Sequence, residues 1–182
     1  GRCLAVSDTV YRRYEGFGDV RCAFVENGSV LVEGVQGWQH YSALEGTTVA
    51  KTSVRPRTLR TVPTGFRNGL DAVLRGANGN TYLFKGTTCF DVRLNREYPL
   101  AEDWGRGRHT VVQDNRVDAA FVGLDGRTYV FSGDQFVVYK GTRVVDAEID
   151  GEPRSVAEHW AGLTSVTLAY VRAGTTYVFE RP

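Results

Sequence analysis

The sequence predicts an all-β fold, a four-bladed β-propeller with short helices between the blades, and three observations point to it. First, a phrase of apolar strand, glycine-containing turn and second strand occurs four times, starting near Val20, Leu70, Val117 and Val166, so the starts lie 50, 47 and 49 residues apart. A fixed period in that range is the mark of stacked or radially arranged supersecondary units. Second, the opening strand of each copy is apolar almost throughout, as in Val117–Gly123, which suits a short strand covered on both faces. Third, the cleanest copy continues as a meander of alternating strands, and four such meanders in one chain are the pattern of propeller blades.

Within that copy each element has a local cause. Leu124-Asp125-Gly126 turns the chain into Thr128-Tyr129-Val130-Phe131, which is rich in aromatic and β-branched residues. Ser132-Gly133-Asp134 makes the next turn, and Gln135-Phe136-Val137-Val138-Tyr139 returns as a third strand. Lys140-Gly141 then introduces a fourth, weaker strand around Val144-Val145. Pro153 to Trp160 has proline in a first helical turn and apolar residues at Val156, Ala157 and Trp160, which predicts a short helix. Pro99–Trp104 repeats that segment one copy earlier. Earlier second strands read Thr81-Tyr82-Leu83-Phe84 and Val30-Leu31-Val32, and the last reads Thr176-Tyr177-Val178-Phe179.

The last copy stops at Pro182, directly after its second strand, while Ser7–Tyr14 resembles the third strand at 133–139. The N-terminal segment is therefore predicted to supply the third strand of the last blade. Closure of this kind removes exposed sheet edges.

Composition narrows the functional classes. At 182 residues the chain is expected to be one domain, residues 1–182. Basic and acidic residues balance at 22 against 21, so no nucleic-acid partner is expected, and no apolar run suits a membrane span. Methionine is absent even at position 1, and the chain is read as processed or excised from a longer one. Cys3, Cys22 and Cys89 match no zinc spacing. Cys22 is read as a small buried hydrophobe, with a bridge from Cys3 to Cys22 or Cys89 as the alternative. Asn27-Gly28-Ser29 is a glycosylation sequon, but a hairpin turn accounts for it equally well.

The phrases Val117-Asp118-Ala119-Ala120-Phe121, Gly126-Arg127-Thr128-Tyr129-Val130-Phe131 and Ser132-Gly133-Asp134-Gln135-Phe136, with the trailing proline and Trp160-Ala161-Gly162-Leu163, resemble the hemopexin repeat. That repeat occurs in hemopexin, matrix metalloproteinase C-terminal domains, vitronectin and plant seed albumins. The resemblance implies a four-bladed propeller and a secreted, extracellular location. It also implies a calcium or sodium ion in the central channel, held by backbone carbonyls at the positions of Arg21, Asp71, Asp118 and Thr167. Arg21 and Thr167 stand where the family pattern has carboxylates. Haem lies between two such domains in hemopexin, and with one domain here its ligation by His109 is not expected.

The remaining candidates are basic. No acidic residue occurs between Gly46 and Leu70, against Lys51, Arg55, Arg57, Arg60 and Arg67. The link between Trp104 and Val117 is expanded to 12 residues and carries Arg106, Arg108 and His109. With Arg21 these are expected to form a positive channel mouth for an anionic small molecule or an acidic protein surface, the ligand residues being Arg21, Arg57, Arg106, Arg108 and His109. Solvated arginines on exposed loops are the plain alternative. His40 and His159 read as surface or packing residues, and no hydrolase, metalloprotease or phosphate-loop motif is present. The expected function is thus a non-catalytic binding module. The alternatives are an enzyme using Arg106, Arg108 and His109 in the mouth, and a targeting domain cut from a larger secreted protein or toxin.

Overall fold

The structure is a computed structural model that describes residues 2–7, 10–15, 20–34, 37–41, 49–104, 116–139 and 153–180. Among the described residues sixteen strands form four antiparallel sheets of four strands each. The first sheet is β3 (Val20–Glu26), β4 (Ser29–Gly34), β5 (Gly37–Tyr41) and β6 (Val49–Ser53). The second is β7 (Ala72–Arg75), β8 (Thr81–Lys85), β9 (Thr88–Asp91) and β10 (Arg96–Pro99). The third is β11 (Ala119–Val122), β12 (Thr128–Ser132), β13 (Gln135–Tyr139) and β14 (Arg154–Ser155). The fourth takes β15 (Leu168–Arg172) and β16 (Thr175–Glu180) from one end of the chain, and β1 (Arg2–Ser7) and β2 (Val10–Glu15) from the other.

That last sheet corrects one expectation. The segment Ser7–Tyr14 is not the third strand: residues 2–7 pair with β16, and Val10–Glu15 is the outer, fourth strand. A second difference concerns the third sheet, whose described outer strand is Arg154–Ser155, pairing with Phe136 and Gln135. The predicted strand at Val144-Val145 lies outside the described residues. Asn27 and Gly28 both have positive φ, 52° and 76°, so the sequon occupies a tight hairpin turn of the type Asn-Gly favours. Cys22 and Cys89 are both buried, and the Cys3 side chain, with any bridge it makes, lies outside the described residues. Burial, with the Glu33 and Asp71 carboxylates nearby, pushes the Cys22 thiol well up.

The first strands of the sheets adjoin one another: β3 lies beside β7, β7 beside β11, β11 beside β15, and β15 beside β3. Apolar side chains fill each of these four interfaces. Leu31, Trp38, Leu59, Phe66, Val73 and Phe90 join the first and second sheets. Trp104, on the turn after helix α1 (Leu100–Asp103), joins the second to the third with Tyr82, Phe84 and Tyr139. Helix α2 (Val156–His159) leads into Trp160, which packs with Phe121, Phe131 and Phe136 toward the fourth sheet. Ala23, Val32, Tyr170 and Phe179 complete the set between the fourth and first sheets. A covered first strand needs apolar residues on both faces, which is why its alternation disappears.

One local device appears in two of the sheets. The ring of Tyr129 lies over Gly123 and its hydroxyl donates to Asp125 Oδ2 at 2.8 Å; in the second sheet Tyr82 lies over Gly76 and its hydroxyl accepts from Asn78 Nδ2 at 2.9 Å. A Cβ on Gly123 would come within 2.7 Å of the Tyr129 ring and of Asp125 Oδ1. Gly123→Ala is therefore expected to destabilise by about 1–3 kcal/mol, the usual cost of overpacking, as read in denaturant unfolding.

Candidate functional site

Every first strand begins with the same irregularity. Asp71 and Asp118 donate their N–H groups to the carbonyls of Phe84 and Phe131, both at 2.9 Å, although the residues in register with those phenylalanines are Ala72 and Ala119. Thr167 does the same to Phe179 at 2.8 Å, whose register partner is Leu168. In β3 the register shifts between Val20 and Cys22, at Arg21. An extra residue opposite a single partner is a bulge, a device that re-aims side chains beside binding sites. The four bulge positions, Arg21, Asp71, Asp118 and Thr167, converge on one polar cavity of about 240 Å³, together with Gly69, Leu70 and Arg116. The four positions that the family resemblance singles out therefore lie together.

The carboxylates in this cavity already have partners. Asp71 Oδ2 accepts from Gly86 N at 2.6 Å and Asp118 Oδ2 from Gly133 N at 2.8 Å, so each holds the second turn of its own sheet. Asp118 Oδ1 also pairs with Arg116 Nε at 2.6 Å. Arg21 makes no ion pair among the described residues. Lys85 stands close by: its Nζ donates to the carbonyls of Gly65 (2.6 Å) and Asn68 (2.8 Å), beside Gly69. Buried Glu33 anchors the floor, accepting from Gly69 N at 2.5 Å and Leu70 N at 3.1 Å. Arg116 was not singled out from sequence, and the signal was available, since it stands two residues before Asp118 at the head of the strand.

Beyond this cavity the space between the strands narrows to a neck of Ala23, Ala72, Val73, Ala119, Ala120 and Ala169 that leaves no room for a water molecule. A first strand pairs along one edge only, so alternate residues leave their N–H and C=O groups unpaired within the sheet. Gly123 N bonding Arg127 O sets that alternation in β11, and Gly76 N bonding Asn80 O sets it in β7. With the tight hairpins at Asn27-Gly28 and Ala173-Gly174, it turns the backbone of Ala23, Val73, Ala120 and Ala169 away from the sheets and into the neck. Past the neck lies a second, apolar chamber.

Arg57 is not part of the polar cavity. Its N–H donates to Glu26 Oε2 at 2.9 Å, and Glu26 ends β3, whereas Arg21 sits at that strand's beginning. The link from the first sheet climbs to the far end before descending through Leu59, Val62 and Phe66, which are buried between the sheets. Apolar anchoring of that link, not charge, decides where Arg57 lies. Arg106, Arg108 and His109 lie outside the described residues. His40 is half-buried on β5, and His159 Nδ1 sits 3.0 Å from the Ser155 carbonyl with its ring against Phe136, a packing position.

Glu26 itself ties the far end together: Oε1 accepts from Thr58 N (2.8 Å) and Thr58 Oγ1 (2.6 Å). Partial burial pushes its carboxyl up, but the Thr58 and Arg57 hydrogen bonds and the Arg75 charge together hold it below the ordinary 4.5. A depressed folded value means stability that is complete above 4.5 and lost as pH falls through the lowered value. Wild type should thus exceed Glu26→Gln in melting temperature at pH 7, and the gap should close on acidification below 4.5.

Among the described residues no three His, Cys, Asp or Glu side chains form a metal-holding group, and no helix is long and apolar enough to cross a membrane. Residues 117–165 match the Hemopexin family. No curated protein matches the chain. Among solved structures it is similar to a 2S albumin seed protein from Dolichos, at 16% identity and TM-score 0.68, covering 90% of this chain and 83% of that one. A hemopexin-fold protein from cow pea aligns at 16% identity and TM-score 0.65, over 88% and 82% of the two chains. A plant lectin with two metal-binding sites from Cicer arietinum aligns at 17% and 0.66, over 90% and 84%. Identities this low show a shared fold: the chain has the hemopexin-like fold, and its residues 117–165 match the Hemopexin repeat.

Proposed function

We propose that residues 1–182 form a single four-bladed propeller whose N-terminal strand closes the last blade, and that it is a non-catalytic binding module. Its site is the polar mouth of the central channel, and its ligand is an anionic small molecule or an acidic protein surface. The observation that carries this reading is the charge arrangement in the polar cavity: both aspartates are committed to turn amides, while Arg21 has no ion pair among the described residues and Lys85 stands beside it. A guanidinium with unused donors suits a carboxylate or phosphate.

A calcium or sodium ion fits this side-chain set poorly. Two guanidiniums face the cavity, and the two carboxylates that would offset a cation already accept hydrogen bonds and, for Asp118, an ion pair. Only backbone carbonyls at the bulges would serve as donors, whereas a calcium site ordinarily draws on several carboxylates. A secreted location goes with the family resemblance, and matching the lectin's metal sites is not required for it.

The test is titration with inorganic phosphate and, separately, with calcium, followed by native mass spectrometry. Phosphate is expected to bind, and Arg21→Glu to weaken it about tenfold or more, as loss of a charged hydrogen bond implies. Calcium binding that Arg21→Glu strengthens, with no phosphate binding, would replace the anion by a cation. Turnover lost on substituting His109 would favour the enzyme reading with Arg106 and Arg108.

A further inference from the structure

We infer that the chamber beyond the neck is a second binding site, one for a small aromatic carboxylic acid whose ring enters the chamber and whose carboxylate meets Arg75. The chamber is about 140 Å³ and is lined by Phe24, Phe121, Tyr170 and the valines Val25, Val122 and Val171. That is roughly the volume of a protein cavity that accommodates one benzene ring. Aromatic walls around a ring-sized space favour an aromatic occupant, through offset and edge contacts. At its inner end the chamber closes on the alanine neck, so an occupant must come from the far end.

Arg75 ends β7 and is the one charged residue lining the chamber among the described residues. Its Nη1 donates to Thr81 Oγ1 (2.9 Å) and Thr58 Oγ1 (3.3 Å), and its Nη2 and Nε have no partner among the described residues. The carboxylate of Glu26 acts on Arg75 from nearby, but both Glu26 oxygens are taken by Arg57 N, Thr58 N and Thr58 Oγ1. A positioned guanidinium with spare donors at the rim of an apolar pocket recognises an anionic head on an apolar body. This chamber is separate from the polar mouth, so the inference stands apart from the proposed function.

The experiment follows the alanine methyl signals of Ala23, Ala120 and Ala169 by NMR while phenylacetate or its neutral isostere phenylacetamide is added. Phenylacetate is expected to shift them saturably and to bind more tightly than the amide. Arg75→Gln should weaken phenylacetate about tenfold and leave the amide unchanged, as removal of one charged hydrogen-bonding group implies. Val171→Trp, which fills the chamber, should abolish both, with Val122→Phe as the second blocking variant should Val171→Trp not fold. Arg21→Glu should change neither. No saturable shift, equal affinity for acid and amide, or binding that persists in a folded blocking variant would overturn the site, as would dependence on Arg21 in place of Arg75.

Discussion

Deleting residues 1–15 is expected to abolish cooperative folding. The deletion removes β1 and β2, half of the fourth sheet, and leaves β15 and β16 as a two-stranded hairpin. A lone hairpin is marginal in water, and the freed edge of β16 would carry unpaired N–H and C=O groups along Thr176, Val178 and Glu180. The loss spreads, because Tyr170, Phe179 and Leu168 pack against Ala23, Val30 and Val32 of the first sheet. Against a total stability of roughly 5–15 kcal/mol, the forfeited pairing and burial leave little margin. Circular dichroism melts and gel filtration of the truncated chain should show a broad, non-cooperative transition and association through the open edge. A sharp melt within a few degrees of wild type would refute this. A complementary chain, in which a short hairpin joins Pro182 to Gly1 and new termini lie between β2 and β3, should fold, since Arg2 and Glu180 are already cross-strand partners.

Trp104→Ala is the single substitution expected to cost most, about 3–5 kcal/mol, as for other large-to-small changes at buried aromatic positions. Its side chain is 1% exposed and makes edge contacts with the rings of Tyr82 (5.5 Å), Phe84 (4.8 Å) and Tyr139 (5.8 Å). Those three belong to both sheets flanking it, so truncation opens a cavity in an interface and not merely within one sheet. The Trp104 carbonyl accepts the Tyr139 hydroxyl at 3.0 Å, and that bond depends on the turn the indole holds in place. Denaturant unfolding with an unchanged slope but a much lower midpoint is the expected outcome. A loss below 1 kcal/mol would mean that the interface closes around the gap.

The repeat was legible because its signals are local. Apolar first strands, Tyr-x-Phe second strands and glycine turns each reflect conditions within a few residues, and all recur in β7, β11 and β15. The convergence of Arg21, Asp71, Asp118 and Thr167 was legible for the same reason, since equivalent positions in equivalent strands meet wherever the strands do. Long-range choices were not. Ser7–Tyr14 has the look of a third strand, yet residues 2–7 pair with β16, because strand order is set by long-range pairing that local composition does not reveal. Arg57 was placed at the wrong end because the route of its link follows Leu59, Val62 and Phe66 into the core, a packing outcome that charge pattern cannot reveal. The apolar chamber gave no motif, being made of alanines, valines and rings that any buried strand contains.

The arrangement of the fourth sheet is the point on which the rest turns, and backbone NOEs read it directly. Cys3 and Ala5 stand opposite Phe179 and Tyr177. With Leu168 and Phe179 bonded across β15 and β16, these two are the non-hydrogen-bonded pairs of β1 and β16, in which facing α-carbons come to about 4.5 Å. Strong Hα–Hα cross-peaks between Cys3 and Phe179 and between Ala5 and Tyr177 are the predicted result. Their absence, while the β15–β16 cross-peaks remain, would contradict a sheet shared by the two ends of the chain.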